Sequence, residues 1–448
     1  MRLKRNVWLL LSSLVLLAAM PSVAAEEPPP LEVARDFHLP DQQLAELVED
    51  MLWGNPEIQA VRELSLSRLE RVPQERSLPD PQVAYRVFLS QPETRVGPQR
   101  QGLEISQGLP WSGKRELQSE RARHAAIGVS WQVRDLERAL VSELKAAYFE
   151  AAYLQEALAI NADEKSLLMR FEQIALTRYS TGEGNQQAVI KVQTDVSRLA
   201  DQSTALRERM SRIERRIAAL LGRSETDLPL RPISLTVPEL RYDKAALEQE
   251  ATRQNPKVLA SEQRIDADTV WVRRRQRDAF PDFALGLGYT DVGTRQDLAG
   301  ILSPPQGNGS DIWALSLKLN IPLQRRRIRA GVAEAEHSLG ASRQALRSTH
   351  DNLVYNVQDA LLRIESLSER ARLYDELLIP QAAESLASSE AAYTTNRLGF
   401  LDLLDAERVL FQVRLTYHRL LSDYWIALAD LERTIARPFP AETEEIKP

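Results

Sequence analysis

The chain has no cysteine, which excludes disulfides, thiolate metal sites and a lipid-modified N-terminal cysteine. It has five histidines, His38, His124, His337, His350 and His418. None stands at close paired spacing to another, so a bound metal site has little support. After residue 25 no apolar run approaches the roughly 20 residues that a membrane-crossing helix needs. Breakers are scarce where helices could be long: Lys114–Arg178 contains Gly128 and no proline, and Arg325–Ala392 is interrupted only by Pro380. Basic excess is also missing. The net charge is −6 over 448 residues, and an acidic exported chain is a poor nucleic-acid binder.

Export is read from the first 25 residues. Arg2, Lys4 and Arg5 precede the apolar run Val7–Ala19 and the small residues Val23-Ala24-Ala25, the layout of a cleaved signal peptide. Nucleotide chemistry finds little footing. Gly108-x-x-x-x-Gly113-Lys114 mimics a phosphate loop, but Arg115 stands where Ser or Thr would hold Mg²⁺. Gly286-x-Gly288 lies inside an alternating segment rather than at a strand-to-helix turn, so it is no dinucleotide fingerprint. No nucleophile–base arrangement stands out, and an enzyme is not expected.

What the chain does contain, it contains twice. Asn55-Pro56-Glu57-Ile58 returns as Asn255-Pro256-Lys257-Val258, and Pro81–Leu89 as Pro281–Tyr289. Leu103–Pro110 returns as Leu315–Pro322, and Arg178-Tyr179 is echoed by Ala392-Tyr393. The boundaries are therefore 1–25 signal peptide, 26–224 first repeat, 225–437 second repeat and 438–448 tail. Each repeat reads helix, strand, loop, strand, very long helix, tight turn, helix. Such a unit cannot bury itself alone.

The long helices keep a seven-residue step: Val332, Leu339, Leu346, Leu353, Ala360, Leu367 and Tyr374, and likewise Val133, Leu140, Ala147 and Leu154. That step marks coiled-coil packing. Helices are predicted over 41–75, 114–178, 188–221, 242–278, 325–392 with its interruption at Pro380, and 401–436. Strands are predicted over 82–90, 101–109, 282–290 and 311–321. The clearest alternation is Trp313, Leu315, Leu317, Leu319 and Ile321, the pattern of a transmembrane barrel strand, although an antiparallel sheet with one wet face alternates too. Four strands cannot close a barrel, for which about eight is the practical minimum. A sheet in lipid would need further copies to pair its edges, and three copies would give twelve strands. The fold class is thus mainly α with a small β part, the strands contributing to a shared barrel and the helical hairpins to an α-barrel.

Arginines and lysines crowd the helical side of the strands: Lys114 and Arg115 after the second, and Arg325, Arg326 and Arg327 after the fourth. They could meet anionic lipid head groups or merely be solvated at helix ends.

The duplicated Asn-Pro openings, the junction Leu-Pro-Trp-Ser-Gly-Lys-Arg at 109–115, Arg-Tyr-x-x-Gly at 178–182, Tyr393 and Leu-Gly-Phe-Leu-Asp-Leu-Leu-Asp-Ala-Glu at 398–407 resemble the TolC-like outer-membrane efflux proteins. The resemblance covers nearly the whole mature chain. It implies a homotrimer in the outer membrane of a Gram-negative bacterium, extending into the periplasm, that gives passive exit to substrates. A periplasmic adaptor and an inner-membrane transporter would be its partners. Asp402 and Asp405 match the acidic pair lining the periplasmic entrance, Tyr393 a tyrosine that helps tie it shut, and Arg397 adjoins the position of a gating arginine, which here is Leu398. The acid that this latch contacts falls at Ala188, so the latch bonds must differ. Tyr179, Gly182, Gly184, Leu398 and Gly399 are the expected adaptor contacts. The competing reading is a soluble periplasmic coiled-coil scaffold.

Neutralising Arg325, Arg326 and Arg327 together is expected to impair membrane insertion while leaving helix content unchanged. Liposome flotation with circular dichroism checks both, and unimpaired insertion removes the head-group role.

Overall fold

The structure is a computed structural model. It describes residues 36–224, 230, 234–238, 240, 242–395 and 397–438. The signal peptide, residues 439–448 of the tail and much of the proline-rich connection after Gly222 lie outside the described residues.

In chain order the elements are α1 Gln42–Gly54, α2 Pro56–Arg76, β1 Gln82–Val87, β2 Glu93–Thr94 and β3 Gly97–Leu109. Then come α3 Lys114–Ser180, α4 Gln186–Leu220, α5 Lys244–Gln254, α6 Pro256–Gln276, β4 Asp282–Val292, α7 Leu298–Leu302 and β5 Ile312–Asn320. The chain closes with α8 Arg325–Leu373, a π-helical turn Tyr374–Leu378, α9 Ile379–Thr394 and α10 Phe400–Ile435. It divides into two compact units, one holding residues 65–128 and 263–343, the other 129–262 and 344 onward together with the segment ending at Leu64. Each unit draws on both halves of the sequence.

The first unit is built around an antiparallel sheet of order β1-β3-β4-β5, with the short β2 added to β3. Ten residue pairs run from Gln99↔Val292 to Leu109↔Phe283 between β3 and β4. Glycines Gly286 and Gly288 sit in β4 because neighbours cross over it: a Cβ on Gly286 would meet Ser316 Oγ at 2.5 Å. The helix ends of this unit are tied by charged and aromatic side chains. Arg121 and Arg275 both stack on Trp271, at 4.1 and 4.7 Å, and Ser342 Oγ donates to Asp268 at 2.6 Å.

The second unit holds the larger core. Tyr148, Phe149, Leu144, Tyr424 and Leu428 from the long helices pack with Leu44, Val48 and Met51 of α1. Leucine and alanine at seven-residue steps give α3 and α10 this buried stripe, and each fully buried large side chain is worth roughly 1.5–3 kcal/mol. Asp41 starts α1 by accepting from Leu44 N at 2.8 Å, and its other oxygen takes the Tyr148 hydroxyl at 2.8 Å. Lys145 and Glu432, both buried, form an ion pair, and the ammonium also donates to His38 O at 2.8 Å.

Two helices expected to be continuous are broken, at the duplicated Asn-Pro. The chain is extended at Asn55 and Asn255, and the prolines open the next helices, where a missing N–H costs nothing. Asn55 Oδ1 accepts from Glu57 N and Ile58 N at 2.8 and 3.2 Å, while its Nδ2 donates to Leu220 O at 2.8 Å. Asn255 repeats this, accepting from Lys257 N at 2.9 Å and donating to Thr434 O at 2.8 Å. One side chain therefore starts a helix and satisfies the last turn of another. Just beyond those carbonyls, Gly222 (φ 69°) and Ala436 (φ 58°) both turn left-handed. Glycine suits that geometry and alanine does not.

The interruption of 325–392 expected at Pro380 is present. Pro380 cannot donate a backbone bond, and the turn ahead of it widens into the π form. Strand β3 begins four residues before its expected start, and the outer loops contain β2 and α7, which alternation did not reveal.

Ala436→Gly is expected to raise the thermal midpoint, since relieving left-handed alanine is worth about 0.5–1 kcal/mol. Asn55→Ala should cost about 1–2 kcal/mol by removing a cap. Thermal unfolding of the detergent-solubilised protein reads both; an Ala436→Gly midpoint no higher than wild type contradicts the strain.

Candidate functional site

In the sheet unit the register sorts side chains by face. Tyr85, Leu103, Tyr289 and Trp313 are successive partners across β1, β3, β4 and β5 and so form one row. Val83, Ile105, Leu287 and Leu315 form the next on that face, and Leu285 pairs with Leu317 beyond them. The opposite face carries Ala84, Glu104, Gly288 and Ala314 in one row, with Ser106, Gly286 and Ser316 beside it. The apolar face is exposed: Leu315 is 81% exposed, Tyr85 64% and Trp313 61%. A water-facing sheet would cover such a face; none of the described residues of this unit does.

Aromatic rings mark both ends of that face. Tyr289 and Trp313 lie 5.1 Å apart, and Trp111 stacks on Phe280 and Phe283 at 5.1 and 5.7 Å. From Phe283 to Tyr289 the strand advances roughly 20 Å at about 3.3 Å per residue. On the polar face Glu104 reaches Lys318 at 3.0 Å. Lys114, expected at the lipid head groups, is instead buried: its ammonium pairs with Asp282 at 2.8 Å and donates to Phe280 O at 3.2 Å. It holds the start of α3 against the start of β4 and leaves the head-group set. Arg115 is half-buried and donates to Arg76 O at 2.8 Å. Arg325, Arg326 and Arg327 are exposed and make no ion pair among the described residues.

In the helical unit two turns meet. The first joins α3 to α4. Gly182 has φ 79°, and a Cβ on Gly184 would come within 2.8 Å of Tyr179 N. Asn185 accepts from Gln187 N at 3.0 Å to start α4. The second joins α9 to α10, with Arg397 N donating to Ala392 O at 2.9 Å. Gly399 adopts an ordinary φ of −71°, so positive φ is not its role. Its bare Cα leaves room for Asp402, whose Oδ2 would sit 3.0 Å from an added Cβ.

Tyr393 is buried against Phe400, with ring centroids 5.4 Å apart. Arg178 lies over the same ring at 4.3 Å and donates to Tyr393 O and Thr394 O at 2.9 and 3.3 Å. The structure thus couples Tyr393 to Arg178. The Arg397 side chain is exposed and makes no ion pair among the described residues. Tyr179, Asp402 and Asp405 are exposed, the two acids one turn apart on α10, and Leu398 is half-buried. At the position of the missing latch acid, Ala188 packs against the local apolar cluster.

Residues 247–437 match the family model described as outer membrane efflux protein. Over that stretch the chain is similar to the outer membrane efflux proteins. It is 21% identical to the cobalt-zinc-cadmium resistance protein CzcC of Cupriavidus metallidurans over 380 residues, 81% of this chain and 82% of that one. It is 23% identical to the cation efflux system protein CusC of Escherichia coli K12 over 326 residues, 70% and 68% of the two chains. Among solved structures it superposes on CusC with a TM-score of 0.75 at 18% identity, covering 93% of this chain and 96% of that one. The outer-membrane channel OprN gives 0.75 at 17% identity, covering 94% and 98%. The fold is that of outer membrane efflux channels.

Sequence reasoning missed two features. Arg178 was visible only as part of a repeated motif. Glu407 sits within the stripe Phe400, Leu403, Leu404, Phe411, and is buried with them. An acid inside an apolar helical stripe was the available signal.

Arg178→Ala removes a ring stack worth about 0.5–2 kcal/mol and two bonds to the end of α9. Hydrogen exchange over residues 391–399 should accelerate while α1 keeps its protection; unchanged exchange would show the two turns to be uncoupled.

Proposed function

We propose that three copies of this chain join their sheets edge to edge into a twelve-stranded outer-membrane barrel, with the helical units forming the periplasmic conduit. The observation that carries this is the exposed apolar face of β1-β3-β4-β5, bordered by aromatic rings and backed by small and polar residues. The two edges are compatible: β1 and β5 run antiparallel in this four-strand order, so β5 of one copy can pair with β1 of the next. Substrate would leave passively, delivered by an inner-membrane transporter through a periplasmic adaptor.

The helix-joining turns at Tyr179–Gly184 and Leu398–Gly399 are the proposed adaptor contacts. An open groove of about 860 Å³ between α3 and α4, lined by Leu158, Met169, Lys165 and Arg170 among others, offers apolar and cationic contacts for a partner helix. Asp402 and Asp405, exposed and one turn apart, would under threefold symmetry form carboxylate rings at the entrance, favouring cations. Tyr393, held by Arg178, fixes the end of α9 beside them. The names of CzcC and CusC point to inorganic cations as the cargo.

Purified protein in planar bilayers should give stable single-channel conductance and migrate as a trimer without heating. In Asp402→Ala plus Asp405→Ala, block by added multivalent cations should weaken by an order of magnitude or more. A monomer without conductance overturns the channel; unaltered block overturns only the acidic rings.

A further inference from the structure

In the helical unit three helices each send one carboxylate into the interior. Glu164 of α3, Asp195 of α4 and Glu407 of α10 are 5%, 5% and 3% exposed. The cations nearby are unevenly shared. Lys191, Arg198 and Arg408 approach Asp195 at 3.5, 3.6 and 3.7 Å, and no ion pair reaches Glu164 or Glu407 among the described residues. Glu407 Oε1 is enclosed without a hydrogen-bond partner, and so is Nδ2 of Asn161, one turn before Glu164 on α3. Farther out, Arg414 of α10 faces Asp163 at 3.9 Å. From α9, which also packs on α10, Glu384 is exposed and Glu390 half-buried, and neither acts on Glu407.

A buried carboxylate without a partner costs several kcal/mol when ionised, whereas its protonated form is neutral and can donate. We propose that Glu407 is a proton-binding site that clamps the start of α10 against α3 and α4, tight while the carboxyl holds its proton and loosened when it ionises.

Burial, reinforced by the negative Glu164 and Asp195, pushes Glu407 up to about 8 from an ordinary 4.5, and burial raises Glu164 in the same direction. The folded chain then holds the proton more strongly than the unfolded chain does. The stabilisation is complete below about 4.5 and is lost as pH rises through about 8. Glu407 is seven residues past Phe400, the first residue of α10, so loosening this end bears directly on the α9–α10 turn.

Amide hydrogen exchange of the full protein in detergent, corrected for intrinsic rates, tests the clamp at pH 6.5 and 8.5. Protection over residues 400–411 should fall by roughly tenfold in wild type, the equivalent of one pKa unit, with α1 as an unchanging control. Glu407→Gln should hold the high protection at both pH values. Glu164→Gln, which removes a like charge, should move the transition to higher occupancy of protonless Glu407 at a given pH. Equal pH dependence in wild type and Glu407→Gln overturns the proposal, as does pH-independent protection in wild type. Conductance does not enter this readout, so the clamp and the channel reading fail separately.

Discussion

Hydrocarbon offers no water to a backbone N–H or C=O, so any sheet that meets lipid must pair every strand. Here β1 and β5 are edges, and the face between them is apolar from Val83 to Ile321 and exposed. No local adjustment within four strands satisfies both conditions. In the proposed assembly more copies of the same sheet supply the missing partners, and the alternation on the other face puts small and polar residues toward the interior. Glycines in β4 serve the same end, giving Glu104 and Lys318 room to span the strand between theirs.

The helical unit solves a different problem, how to fix helices that have long seams but little else to hold them. Its fixed points are polar. Asn55 and Asn255 each bind two helix ends at once, Asp41 joins a helix start to Tyr148, and Lys145 with Glu432 anchors the segment at His38. Such bonds contribute modestly one by one, but leaving a buried partner unsatisfied is costly. They therefore fix register where the apolar stripe alone would let a helix slide.

Legibility in the sequence followed period. Strict alternation placed all four main strands within a few residues, and the seven-residue step placed the long helices. The Asn-Pro pairs are visible as repeats, yet helical patterning runs through each, because the break depends on a carbonyl far along the chain at Leu220 or Thr434. Lys114 looked like a membrane anchor since the sequence does not show that Asp282 lies opposite it. At the helix-joining turns, the coupling of Arg178 to Tyr393 spans more than two hundred positions and was equally hidden. Glu407 carried a readable sign in its neighbours, but its fate depended on how three helices distribute their charges.

The π turn before Pro380 has a consequence for counting. On α8 the interior positions Val357, Ile364 and Ala371 follow one another at sevens. Continued unchanged, the series would reach residues 378, 385 and 392. Beyond the turn Ala382 is buried, and the series continues instead at Leu386 and Tyr393, each one place later. A π turn accommodates one extra residue, so the wide turn absorbs a single-residue insertion and returns the stripe to phase. Deleting one residue from Tyr374–Leu378 would let the helix straighten into regular α form with Tyr393 still facing inward; deleting one on either side of it would turn that ring away from Arg178.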